Sequence, residues 1–408
     1  MKKLISLALV LCMLLCIVPA AFADNDVETK TLRFNSDGTF KIVVLNDFQD
    51  TENTSELSLK MLNKLLDQEK PDLVVLNGDQ LCELYPSSSY DNYTAAIGNI
   101  LKPINSRGIP FIFNYGNHDN DKAVVVPLWM QETIYHSYDY CFSPDNCYSN
   151  EAYNKLIMSN DGTKPLLNIY MINTGIWESQ GILGGVTRSQ VQWYKYKSDQ
   201  LRAMNGDKPM PSLLFQHAPV YELHKLLTRV PENTPGAVNC QFIGHTDEWY
   251  VLDDTKVLAD PYNYFMEGIS SENPALSVGE YDAWLEKGDI LEAVFAHDHM
   301  NNFRGETEDG IVMGYNGGFG FAPYGNGGMR VAGVFEFNAN KGIENYTHRY
   351  VSYNDLFPEE QLEAVEDEGE KGLNFEVGML IDFLTIIPRT ITGFLKFFLT
   401  HLGMPFRT

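Results

Sequence analysis

A chain of 408 residues with 44% apolar content can bury a sizeable core in one large domain or two ordinary ones, which excludes a disordered protein. Its 54 acidic residues against 30 basic ones give a net charge of -24, and a field of that sign repels polyanions, arguing against a nucleic acid duplex as partner. A small phosphate ester stays compatible, because bound cations invert the local sign.

The first segment, MKKLISLALVLCMLLCIVPAAFA, sets Lys2 and Lys3 before an apolar run from Leu4 to Val18 and ends in Ala21-Phe22-Ala23. That is the pattern of a secretory signal over residues 1–23, cleaved after Ala23, and it predicts a secreted or extracytoplasmic protein. Cys12 and Cys16 belong to the signal. Cys82, Cys141, Cys147 and Cys240 remain, and in an exported protein they permit up to two disulfides, Cys141 with Cys147 being the most local pair.

Lys41 to Asn46 reads as a strand, Ser55 to Lys70 as a helix with Leu57, Met61, Leu62, Leu65 and Leu66 at helical spacing, and Asp72 to Asn77 as a second strand after Pro71. This β-α-β unit predicts an α/β fold with helices covering a sheet. The helix-like stretch YTAAIGNILKPINSRG leads to the strand IPFIFNY, and later strands are read at LLNIYMIN, SLLFQH, ILEAVFAH, GIVMGYN and RVAGVFEFN. Residues 120–165 and 225–280, rich in Tyr, Asn, Pro and Ser without clean periodicity, read as rim loops or small subdomains. The main domain is expected over residues 24–355, an acidic linker over 356–374 and a strongly apolar segment over 375–408. Asp382, Pro388 and Arg389 interrupt that last segment, which favours a peripheral membrane helix or a docked hydrophobic surface over a membrane span.

The polar residues gather where the apolar runs stop. KIVVLN ends at Asp47, DLVVLN at Gly78-Asp79, IPFIFNY at Gly116-Asn117-His118-Asp119, LLF at Gln216-His217, and AVFA at His297-Asp298-His299. Ligands of α/β sheets gather outside the carboxyl ends of strands, so five such ends together supply a coordination sphere. Each has a plainer reading alone: a strand-ending Asp as a turn former, His217 as a satisfied core histidine, a glycine as the pivot of a tight turn. His136, His224, His245, His348 and His401 fall outside the pattern and read as ordinary histidines. No G-x-S-x-G elbow is present, which argues against a serine hydrolase.

In this order the blocks DFQ (47–49), GDQ (78–80), GNHD (116–119), QHAPV (216–220) and AHDHMNNF (296–303) resemble the calcineurin-like metallophosphoesterase superfamily. FQHAPVYE, HDHMNNFRG and GYNGGFGFAPYG resemble its branch related to purple acid phosphatases. The resemblance implies a four-layer α/β/β/α sandwich, two mixed sheets flanked by helices, and a binuclear centre of two divalent or trivalent ions, Mn, Fe or Zn. By the same resemblance Asp79 bridges the ions, Asp47 and His299 hold the first, and Asn117, His217 and His297 hold the second. His118 would protonate the leaving oxygen, with Asp119 orienting it. The implied activity is hydrolysis of phosphate monoesters, with diesters or nucleotides as close alternatives, by two-metal activation of water.

The chain departs from the family pattern at Gln49, where a histidine is usual, and at Cys82, where purple acid phosphatases carry a tyrosine. Gln49 is open between ligand through its amide oxygen, holder of a metal-bound water, and mark of a weak first position. Cys82 is open between ligand and a buried or disulfide-bonded thiol. The alternative function is a catalytically weak or inactive binding protein on the same fold, with an incomplete first metal position.

Overall fold

The computed structural model describes residues 30–81, 89–120, 126–147, 151–174, 185–240, 248–271 and 277–363. The chain divides into Met1–Leu32 and Arg33–Thr408, and the elements below belong to the second unit. The signal segment, Cys82, His245 and the apolar segment 375–408 lie outside the described residues. Among the described residues no helix is long and apolar enough to cross a membrane.

In chain order the main elements are β1 (Thr39–Leu45), α1 (Glu56–Glu69), β2 (Leu73–Asn77), α2 (Tyr90–Ser106), β3 (Phe111–Asn114), α3 (Leu128–His136), β4 (Ala152–Met158), β5 (Pro165–Ile172), α4 (Arg188–Met204), β6 (Ser212–Gln216), α5 (Glu280–Lys287), β7 (Ile290–Phe295), β8 (Arg304–Glu306), β9 (Val312–Tyr315), β10 (Val331–Asn338) and β11 (Thr347–Ser352). Local chemistry sets the first unit. Ser55 caps α1 by accepting from the Ser58 N–H, and Lys70 closes it in the left-handed conformation. Between the caps Met61, Leu62, Leu65 and Leu66 form one buried stripe, each contributing roughly 1.5–3 kcal/mol on full burial.

One sheet has the order β11-β10-β1-β2-β3, with β1, β2 and β3 parallel and β10 antiparallel to both its neighbours. The other runs β4-β5-β6-β7-β9-β8, parallel from β5 to β9 and antiparallel between β4 and β5 and between β8 and β9. The sheets face each other: Phe215 of β6 meets Phe335 of β10 edge-on at 6.2 Å, and His348 of β11 bonds Glu292 of β7 at 2.7 Å. Tyr194 and Leu201 of α4 and Trp284 of α5 pack on Tyr170, Leu214 and Phe295 of the second sheet. Glu69 at the end of α1 pairs with Lys41 of β1 and Arg349 of β11 on the first. The expected mixed α/β architecture, two sheets flanked by helices, is the one observed.

Helices α3, α4 and α5 and strands β4 and β11 add to the elements read from the sequence, and of these α3 and β4 fall in the aperiodic stretch 120–165. Within the 225–280 insertion, Leu227–Val230, Val238–Asn239 and Trp249–Leu252 form a small antiparallel sheet. The local disulfide is corrected: Cys141 and Cys147 are buried but unbridged, with Cys141 Sγ 3.6 Å from His136 Nδ1 and the Cys147 backbone N–H donating to Glu132.

Candidate metal centre

β1, β2 and β3 each run into a buried asparagine and then release a loop into one space at their carboxyl ends. Asn114 Nδ2 donates to Asn77 Oδ1 at 2.8 Å, Asn77 Nδ2 to Gln216 O at 3.1 Å, and Asn46 Nδ2 to Asn316 O at 3.0 Å. Strand ends packed away from water must find partners for their polar groups, and these amides provide them across the two sheets. Sequence reasoning missed this network, although the repeated final Asn of VVLN, VVLN and FIFN marks it.

On that frame the backbone takes a conformation rare for residues with side chains. Asp47, Gln49, Asp79 and His297 have φ of 53°, 40°, 53° and 82°. Such left-handed backbone costs about 1–3 kcal/mol per residue and clusters where a site over-determines the geometry. Two glycines are required by close approach. A Cβ on Gly78, itself at φ +86°, would stand 2.6 Å from His217 Nδ1, and one on Gly116 would stand 2.0 Å from Asp79 Oδ1.

Asp79 lies at the centre, fully buried. Its Oδ2 is 3.1 Å from His217 Nε2, 3.0 Å from Gln49 Nε2 and 4.0 Å from His118 Nε2, while Oδ1 accepts the His118 backbone N–H at 2.9 Å. Asp47 Oδ1 is 3.3 Å from His299 Nε2 and 3.8 Å from His217 Nε2. Asp79, His217 and His297 bring one ligand atom each to within 4.8 Å of one another. Asn117 is buried on the loop that follows β3. His217 Nδ1 bonds Asn77 O and His299 Nδ1 bonds Tyr324 O, each at 3.0 Å, so both rings carry their Nδ1 proton outward and turn Nε2 inward.

The residues fit a metal. Asp47 Oδ1 and His217 Nε2 are buried and make no hydrogen bond. Two such acceptors beside a second carboxylate and two further imidazoles are the donor set of a first-row divalent cation. Charge agrees. Burial opposes ionisation of Asp79, yet His217 and His118 hold its carboxyl well below the usual range. Burial also opposes charge on His217, and Asp79 with Asp47 nevertheless pushes that imidazole up to about 10. The buried acids demand positive charge, which a bound cation supplies without protonating the ring.

Gln49 stands among these groups as a donor. Its Nε2 donates to Asp79 Oδ2 and lies 3.0 Å from His299 Nε2, so ligation through oxygen requires the amide to turn over. The Asp119 carboxylate accepts the backbone N–H groups of Asp79 at 2.8 Å, Gly116 at 2.9 Å and Leu81 at 3.2 Å, which joins the GDQ and GNHD loops. Burial and then the charge of Asp79 push its carboxyl up to about 7. His118 is at the mouth, its side chain 34% exposed. Behind His299, Tyr324 stacks on the ring at 4.4 Å and donates its hydroxyl to Glu267 at 3.0 Å. Glu267 comes from the 225–280 insertion, where no motif or period signals it.

Residues 40–309 match the model of the family described as calcineurin-like phosphoesterase, and the chain belongs to that family. A relative from Arabidopsis thaliana named probable inactive purple acid phosphatase 28 is 24% identical over 354 residues, covering 77% of this chain and 79% of its own. Phosphatase DCR2 of Saccharomyces cerevisiae is 27% identical over 358 residues, covering 81% of this chain and 56% of its own. A solved structure titled GAP50, the anchor in the inner membrane complex of Plasmodium, aligns at 11% identity and a TM-score of 0.43 over 83% of this chain and 94% of its own.

Proposed function

We propose that this chain is an exported, metal-dependent hydrolase of small phosphate esters, monoesters first, with diesters or nucleotides open to the same chemistry. The observation that carries the reading is the convergence on Asp79, whose two oxygens meet His217, Gln49 and both the ring and the backbone of His118. In the loaded site Asp47, Asp79 and His299 would hold one ion, joined by Gln49 once its amide turns over or through a water, and Asp79, Asn117, His217 and His297 the other. Bound ions would neutralise the phosphoryl oxygens and acidify water for in-line attack. His118, at the mouth and on the same loop as Asn117, gives a proton to the leaving oxygen. Asp119 keeps that loop in register with Asp79. Export is supported by Lys2, Lys3, the apolar run and Ala21-Phe22-Ala23.

The Gln49 amide favours a second reading, a phosphate-binding protein of little or no turnover, and the names of the Arabidopsis relatives are in keeping with it. The test is an assay of the full chain, supplied in turn with manganese, iron and zinc, on p-nitrophenyl phosphate and its bis-ester. Turnover that Asp79→Asn abolishes supports the hydrolase. No hydrolysis of either ester with any metal, from mildly acidic to mildly alkaline solution, leaves the binder.

A further inference from the structure

Beside β3, whose following loop carries Asn117 and His118, lies a second set of metal-ligating side chains. Glu132 and His136 stand one turn apart on α3, a spacing that puts both on one face, and the chain then turns back to bring Cys147 against them. One ligand atom from each of the three lies within 4.8 Å of the other two. Glu132 Oε1 is 3.4 Å from His136 Nε2 and accepts the Cys147 backbone N–H at 3.1 Å. His136 Nε2 is buried and makes no hydrogen bond. On the other side of the ring, Nδ1 lies 3.6 Å from Cys141 Sγ and 3.8 Å from the exposed carboxylate of Asp145.

Glu132 and Cys147 are both buried, and the His136 Nε2 that faces Glu132 makes no hydrogen bond. A divalent ion gives all three atoms one partner and draws the proton from sulfur. One sulfur, one nitrogen and one oxygen suit tetrahedral zinc, whose bonds of about 2.0–2.3 Å set ligand atoms about 3.3–3.8 Å apart. The Glu132 to His136 separation already meets that.

We propose that Glu132, His136 and Cys147 form a zinc site, distinct from the centre around Asp79, that clasps α3 to the segment containing Cys141 and Cys147. Its place in the fold gives the clasp a consequence. Phe111 of β3 bonds Tyr140 and Phe142 on either side of Cys141, Tyr135 stacks on Phe113 at 4.0 Å, and Gln131 donates to the Asp119 carbonyl at 2.9 Å. The clasped layer therefore backs the GNHD loop without touching the reacting groups.

The test is titration of the full-length protein, prepared with reductant, using cobalt(II) as a spectroscopic substitute for zinc. Wild type is expected to show thiolate-to-cobalt charge-transfer absorbance that Asp79→Ala retains, Cys147→Ser lacks, and His136→Gln shows only at cobalt concentrations at least about tenfold higher. Absence of that absorbance from wild type overturns the proposal whether or not the variants fold, and so does its persistence in Cys147→Ser. Peptide mapping of protein isolated with zinc and without reductant gives a second readout. Alkylation of both Cys141 and Cys147 after chelation supports the clasp; a disulfide between them overturns it.

Discussion

Gln49 donates its side-chain amide to Asp79 Oδ2 across 3.0 Å, so a neutral group is bonded to the carboxylate that the proposed function makes the bridge between two ions. The same nitrogen stands 3.0 Å from His299 Nε2, and in the proposed two-ion centre this would make the first position the weaker of the two. Gln49→His restores an imidazole there. It is expected to tighten binding of the weaker ion by about tenfold or more, read by calorimetric titration with manganese or zinc. Unchanged binding would show that the amide does not limit this position.

His118 is held by its backbone to Asp79 while its ring reaches the mouth. A proton donor so placed supplies about 10²–10⁴-fold in rate. His118→Ala is expected to lower kcat by that order with p-nitrophenyl phosphate while metal content stays at the wild-type level. Loss of metal along with activity would make the ring a part of the metal centre instead.

Asp119 joins two loops through three backbone N–H groups. Asparagine can replace only part of that acceptor set and brings a donor toward N–H groups. Asp119→Asn is expected to cost about 2 kcal/mol in urea denaturation, and to weaken metal binding through the displaced Asp79. Wild-type stability in the variant would remove the carboxylate from this structural role.

The placement of the candidate site at strand ends was legible because each motif stands where a buried apolar run meets a polar block: Asp47, Asp79, Asn117, His217, His297 and His299 all sit just beyond a strand. Helix α1 was legible for the same reason, a clean stripe between Ser55 and Lys70. Other features leave no such trace. The positive φ of Asp47, Gln49, Asp79 and His297 is imposed by tertiary packing; Asp and His enter that region more readily than most residues, but nothing in the local sequence singles out these positions. Glu267 reaches His299's neighbour Tyr324 from an insertion without period. Asp119 looks like a partner of the adjacent His118 in sequence, but its oxygens are taken by backbone amides that only the folded loop brings near.

Acid stability should report on Glu69, whose side chain is 4% exposed between Lys41 and Arg349. Burial opposes its ionisation, but the bonds from Arg349 and Lys41 outweigh it and hold the carboxyl below its ordinary value. A depressed folded pKa means the contribution is present above the unfolded value of about 4.3 and is lost as pH falls through the folded value. Glu69→Gln is therefore expected to lose about 2 kcal/mol at neutral pH, with the gap to wild type narrowing as pH falls below the unfolded value in urea denaturation. A gap that stays constant with pH would contradict the ion-pair account.

The central claim is that Asp79 organises a working metal centre. Metal content per chain by elemental analysis, on wild type and Asp79→Ala, paired with hydrolysis of p-nitrophenyl phosphate, tests it most directly. The account predicts ions and turnover in wild type, with turnover and the ions held by Asp79 both lost in the variant. Wild-type turnover and metal content in Asp79→Ala would contradict it.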